Sequence, residues 1–384
     1  MAADERLFTP RFFAMCAFTS TVFVSAFLLL PTAPFRILSL GGSESQAGLF
    51  LGFLTYASAF TAPLTGAFAD RLGKKRMLLV CSLLIAAIQG AYALTTTYQL
   101  LLLLVPVHGL FWSGLLSASA AYMTDILPES RRAEGIGYWG LSTMFAIAVA
   151  PSLGFLLLRR GWFWVCAAAC ALNLLMALIA FSLVEVARPR ATAHAPLFER
   201  LVEWRVVAIS LTLFLYSFGY GGVTSFVALY AETNGVAPKS LYFTVLAVVV
   251  AMTRPFSGRL ADRIGRRKVF LPCLALIAVG LALLSLGGTR PLLIWSALVF
   301  GTGFGTAYPV YAAHVMDHVV PERRGAAFGG ILAAFDTGIG TGSIATGWLI
   351  DHYGFGAAYA TAALLASLSI PYFLFAEPRL LKRG

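Results

Sequence analysis

Charge is scarce in this sequence. Of its 384 residues, 12% are Asp, Glu, Lys or Arg and 59% are hydrophobic, and the mean hydropathy is +0.82. A soluble domain carries about 25% charged residues. Half that share cannot cover a water-facing surface, so lipid must be the solvent for much of the chain. Acids are scarcer still, 17 against 28 Lys and Arg, for a net charge of +11. In a soluble protein that excess would raise nucleic-acid binding. Here the basic residues cluster in alternate short connections, which is a topology signal and argues against a nucleic-acid partner. No Gly-x-x-x-x-Gly-Lys-Ser/Thr run is present, which argues against ATP-driven transport by this chain alone. Paired carboxylates, a nucleophile–base spacing and metal-ligand spacing are lacking too, so the expectation is no enzyme, no metal and no cofactor. The five cysteines, Cys16, Cys81, Cys166, Cys170 and Cys273, lie inside apolar runs and read as small hydrophobes.

What the sequence has is long apolar runs. A spanning helix takes about 20 mostly apolar residues. Runs of that kind sit near 11–33, 46–68, 77–97, 99–123, 135–158, 162–185, 204–231, 240–260, 269–288, 291–316, 326–350 and 355–376. The fold class expected is therefore an all-α integral membrane protein with twelve transmembrane helices. The first run passes Leu30 without a small-residue cleavage site, so it reads as a retained helix and not a removed signal peptide. Twenty-two of the 28 Lys and Arg fall in the two terminal segments and the connections on one side, five fall on the other, and Arg254 lies inside a helix. The positive-inside rule then puts both termini in the cytoplasm of a cell-membrane protein. The most polar stretch, 188–203, contains Pro189, His194 and Pro196. It reads as a cytoplasmic linker between a half at 1–187 and a half at 204–384, and Leu197 to Trp204 reads as a short surface helix.

The halves repeat one another. Gly66-Ala-Phe-Ala-Asp70-Arg71-Leu-Gly73-Lys74-Lys75 returns as Gly258-Arg-Leu-Ala-Asp262-Arg263-Ile-Gly265-Arg266-Arg267, an offset of 192. Asp125, with Pro128, Glu129, Arg131 and Arg132 after it, returns at the same offset as Asp317, with Pro321, Glu322, Arg323 and Arg324 after it. Two motifs at one offset mark a duplication.

In these residues the chain resembles the major facilitator superfamily over nearly its whole length. The resemblance implies two pseudo-symmetric six-helix bundles, a central cavity and alternating access by rocking of the halves. It also implies that Gly66, Asp70, Arg71 and Gly73, with Gly258, Asp262, Arg263 and Gly265, form a conformational latch. The aspartates would accept from the starts of helix eleven (Gly325 to Phe328) and helix five (Glu134 to Gly137). The alternative is that the basic run is only a topology anchor. Proton-coupled exporters of this superfamily carry a glycine-rich pattern in helix five. Gly137, Ala146, Ala150-Pro151 and Gly154 keep its spacing, with three glycines replaced and Phe155 in the last position. Taken without the resemblance, the segment is a kinked helix with a packing face of small residues. The arginine that many such exporters place in helix four is absent: Val105 stands there, and His108 beside Gly109 is a possible substitute.

Charges at membrane depth are costly and mark function. Asp336 is the one acid expected deep in a helix, with Arg254 in helix eight as the candidate neighbour. The pair reads either as a proton-coupling site, with His108 as a further candidate, or as a structural carboxyl bonded to Arg254 or to backbone. Candidate cavity residues are Trp112 and Ser119 in helix four, Tyr216, Tyr220 and Thr224 in helix seven, and Tyr308 and Tyr311 in helix ten. His108 and Tyr122 share the helix-four face by periodicity, and His314 extends the helix-ten set. Each aromatic taken singly is equally a packing or interfacial residue. The function expected is secondary transport of a small amphipathic or aromatic molecule, by a proton-coupled exporter acting as a monomer with substrate, protons and lipid as its partners. The alternatives are an uptake symporter for a sugar, organic acid or other metabolite, and a transport-inactive membrane sensor.

Overall fold

The computed structural model describes residues 7–128, 131–185, 204–320 and 323–380. All regular structure among them is helical. Lipid offers backbone groups no partner, so each crossing must satisfy its own N–H and C=O. Span one is α1 (Pro10–Leu29) continued by the short α2 (Ala33–Ser39). Spans two to six are α3 (Glu44–Leu72), α4 (Lys74–Leu94), α5 (Tyr98–Ile126), α6 (Arg132–Leu158) and α7 (Trp162–Ser182). Span seven is α8 (Trp204–Ile209) with α9 (Leu211–Thr233), and spans eight to ten are α10 (Leu241–Ile264), α11 (Arg266–Ser285) and α12 (Arg290–Met316). The last helix, α13 (Arg324–Leu380), is two limbs meeting at Gly354, whose φ is 81°. Those limbs are spans eleven and twelve.

Among the described residues, nine helices are long and apolar enough to cross a membrane, or ten when the pair Leu241–Arg254 and Phe256–Ile264, bent by 48°, counts as one span. That reckoning takes the 54-residue stretch Ala327–Leu380 as a single helix. Its division at Gly354, together with the 29-residue α3, brings the crossings to the expected twelve. The linker 188–203, its surface helix up to Glu203, and both chain ends lie outside the described residues.

Short polar residues set the helix starts. Thr9 accepts from Phe12 N–H, Thr97 accepts from Leu100 N–H, and Ser43 with Gln46 forms a reciprocal capping box; each supplies a donor or acceptor that the first turn lacks. Gly73 and Gly265 each form a one-residue joint between two spans, with φ/ψ of 93°/141° and 97°/136°. Only glycine takes that conformation without strain. The repeat visible in the residues is thus a repeat in backbone geometry.

Spans one to six pack mainly among themselves, as do spans seven to twelve. Buried polar side chains tie the helices of each group together. In the first, Asn173 donates to Ser25 (2.8 Å) and Gln89 (2.7 Å), and Gln89 donates to Ser25 (3.0 Å), joining spans one, three and six. In the second, the Ser296 hydroxyl donates to the Gly280 carbonyl at 2.7 Å and is bonded to Tyr242. The two groups meet along two seams, span two against span eleven and span five against span eight.

Candidate transport crevice

Both seams are closed at one end and open at the other. The closed end of the first lies far from the Gly73 and Gly265 joints. There Asp351 of span eleven accepts from the Glu44 and Ser45 N–H groups that begin span two, at 3.0 and 2.8 Å. Ser343 donates to the Gly48 carbonyl at 2.8 Å, and Tyr56 bonds Thr341 at 2.7 Å. Side chains on Gly48 or Gly347 would collide with the Ser343 or Glu44 carbonyl. Eighteen residues make five turns, so Gly66 shares the face of Gly48 and Gly329 that of Gly347. A Cβ on Gly66 or on Gly329 would meet nothing within 4 Å. The second seam follows suit. Ser152 bonds Ser240 at 2.8 Å, while Gly137 and Gly258 face open space. A crevice therefore opens between the two groups toward the Gly73 and Gly265 end.

Two charges mark its apex, one on each seam. Asp336, twelve residues into span eleven and so about 18 Å from its start, faces the buried Ser58 of span two. Arg254 lies beside the break in span eight, and its guanidinium donates to the Gly140 carbonyl of span five at 3.2 Å. The expected pairing of Asp336 with Arg254 is thus corrected. Each reaches across a different seam, and no ion pair joins them among the described residues. Pro255, which has no N–H to donate, stands at the helix break.

His108 is buried and its ring faces the Tyr92 hydroxyl of span three at 3.3 Å. The face of span four predicted to line the cavity points into the first bundle: Trp112 packs on Phe23, Ser119 is buried, and Tyr122 donates to the Val184 carbonyl at 2.9 Å. Tyr216, Thr224 and Tyr311 are likewise closed off, and Tyr311 bonds Ser210 at 3.1 Å. Tyr220 and Tyr308 are only partly buried. Tyr220 stacks on Phe304 at 4.2 Å, and Tyr308 lies 4.9 Å from Phe335, the neighbour of Asp336. These rings give the second bundle an aromatic wall.

Of the latch residues, Arg71, Asp262 and Arg263 are exposed. Asp262 lies 3.9 Å from Arg266, which stands just across the Gly265 joint in its own half. The side chain of Asp70 lies outside what is described. In span five, Ala150 is buried, and a Cβ on Gly154 would lie 2.8 Å from the Leu28 carbonyl of span one.

One set of ion pairs, and the two glutamates that join it, escaped the sequence reading. Lys74 pairs with Asp125, and Arg266 with Asp317, at the same 192 offset. Glu185 and Glu377 are a further pair at that offset. Glu185 accepts from the Lys74 and Lys75 N–H groups at 2.9 and 3.1 Å. Glu377 accepts from His314 at 2.9 Å and lies 3.1 Å from Arg267 Nε. A search for acids at the known offset would have found them.

Twelve helices in two packed groups, parted by a crevice with charge at its apex, define a membrane transporter. The family model of the Major Facilitator Superfamily matches residues 14–252 and again 209–384, and the chain belongs to that superfamily. It is 25% identical over 347 residues to the "Uncharacterized MFS-type transporter YhhS" of Escherichia coli (strain K12), covering 86% of this chain and 83% of that protein. The YhhS of Salmonella typhimurium is 24% identical over 343 residues, with 86% and 84% covered. Among solved structures, the nucleoside transporter NupG superposes with a TM-score of 0.70 at 17% identity, covering 98% of this chain and 100% of that one. The human organic anion transporter MFSD10 (TETRAN) gives 0.70 at 18%, covering 95% and 100%. A bacterial homolog of the human lysosomal transporter Spinster, inward-facing and unoccupied, gives 0.73 at 18%, covering 97% and 95%. At these identities the structures share the fold.

Proposed function

We propose that this transporter is a secondary, proton-coupled exporter of a small amphipathic or aromatic molecule, working by alternating access in the inner membrane. The observation that carries the reading is Asp336. It is a carboxyl at membrane depth, at the apex of the open crevice, facing Ser58 across the seam. An acid placed there takes up a proton from one side and releases it to the other as the seam closes and opens. The bases on the Gly73 and Gly265 side make that side cytoplasmic, so the open crevice is the inward-facing arrangement. Its halves are 1–187 and 204–384, joined through 188–203, and each rocks as a body.

The latch fits this cycle. In the outward-facing state Asp70 and Asp262 would approach the starts of spans eleven and five, where helix N-terminal N–H groups favour an anion. Support for export comes from span five, where Ala150, Pro151 and Gly154 keep the spacing of the exporter pattern. Reconstitution into liposomes, with a panel of aromatic and amphipathic compounds assayed with and without an imposed proton gradient, tests the proposal. Movement of a compound against its gradient only when protons flow the opposite way is the expected result. Accumulation in the direction of the proton flow would make the protein a symporter and overturn export.

A further inference from the structure

Arg254 has more donors than partners. A guanidinium presents five N–H donors in a fixed fork and cannot shed its charge inside a protein. One terminal nitrogen reaches the Gly140 carbonyl at 3.2 Å. The Nε is buried with no hydrogen-bond partner, and among the described residues no carboxylate lies within ion-pair distance. Among the described residues the other charge at this depth, Asp336, lies on the opposite seam, facing Ser58. A partly buried charge without a counter-ion is a functional-site candidate, open to a ligand that supplies the missing partner.

The surroundings say where that ligand would lie. Arg254 stands where the second seam gives way to the crevice: Gly258, one turn further along span eight, and Gly137 of span five meet nothing within 4 Å. Tyr220 of span seven lies within electrostatic reach of the guanidinium, and its ring is stacked at 4.2 Å on Phe304. A cation beside a flat aromatic wall suits a molecule with an anionic group at one end and a ring system behind it. We infer that Arg254 binds the anionic group of the transported molecule, and that the substrates are amphipathic organic anions such as aromatic carboxylates or sulfonates. The fork geometry favours a bidentate oxyanion. This inference rests on the transport reading and narrows its substrate class.

The test separates the anion site from proton coupling by measuring binding without a gradient. Three probes share one ring system: 2-naphthoate, 2-naphthamide and 2-naphthylmethylammonium. Each is added at millimolar concentration to detergent-purified protein, and the thermal unfolding midpoint is read by fluorescence-detected size exclusion. The expected result is a rise in Tm with the carboxylate alone, abolished in Arg254→Gln and kept in Asp336→Asn. Arg254→Lys retains the charge without the fork. It keeps the preference for the anion at weaker affinity, and it supplies the reading where the glutamine variant is not recovered folded. Equal stabilisation by the amide, a carboxylate effect that survives in Arg254→Gln, or no response to the carboxylate would overturn the inference. Anion binding that persists while gradient-driven transport is absent would refute the coupling proposal and leave the anion site standing.

Discussion

Replacing Asp336 with asparagine removes one charge from the crevice apex and keeps the size and hydrogen-bonding capacity of the side chain. The seam contacts from Gly48–Ser343 to the apex do not depend on that charge, so the first seam stays intact. What is lost is the ability to carry a proton. One pH unit across the membrane corresponds to about 1.36 kcal/mol per proton, which sustains a roughly tenfold concentration ratio for one-to-one exchange. In Asp336→Asn the ratio should fall to unity while downhill movement and binding remain measurable. Ser58→Ala probes the same contact from the other side. Its loss should shift the balance away from this arrangement, by no more than one hydrogen bond to a charged group contributes, about 1.5–3 kcal/mol. Proteoliposomes loaded with substrate, with a pH step imposed and size exclusion as the folding control, give the ratio directly. A well-folded Asp336→Asn variant that still moves substrate against its gradient would refute the reasoning. Joint loss of folded protein in Asp336→Asn and Arg254→Ala would instead make these charges structural.

Gly48→Leu should disfavour the crevice-open state, because its side chain meets the Ser343 backbone, whereas Gly66→Leu should be tolerated in that state and disfavour the opposite one. Cysteine accessibility at the two ends of the crevice should therefore shift in opposite directions in the two variants. Asp70→Asn should depress transport several-fold with expression largely unchanged; normal transport would reduce the motif to a topology anchor. Labelling of single cysteines should place 186–203 in the cytoplasm and 232–239 outside, and the reverse pattern would overturn the orientation.

Much of the architecture was legible because lipid imposes a length and an apolar composition on every crossing. The duplication was equally legible. A one-residue joint between helices needs glycine at positive φ, so Gly73 and Gly265 had to recur as glycines. The site was less so. Periodicity groups His108, Trp112, Ser119 and Tyr122 on one face of span four, but it carries no information about what that face meets. Packing turned the face toward Tyr92, Phe23 and Val184.

Residue order alone was enough to establish a twelve-crossing membrane protein built from a repeat, and to single out Asp336 and Arg254 as its deep charges. Both conclusions rest on local costs, the transfer of backbone and charge into lipid, which each segment meets on its own. Only the tertiary structure decided that these two charges sit on different seams, Asp336 facing Ser58 of span two and Arg254 bonded to Gly140 of span five. That choice depends on which helices the two groups bring edge to edge. Depth along a helix follows from counting residues, whereas the partner across a seam follows from how whole helices pack, and no segment specifies that by itself.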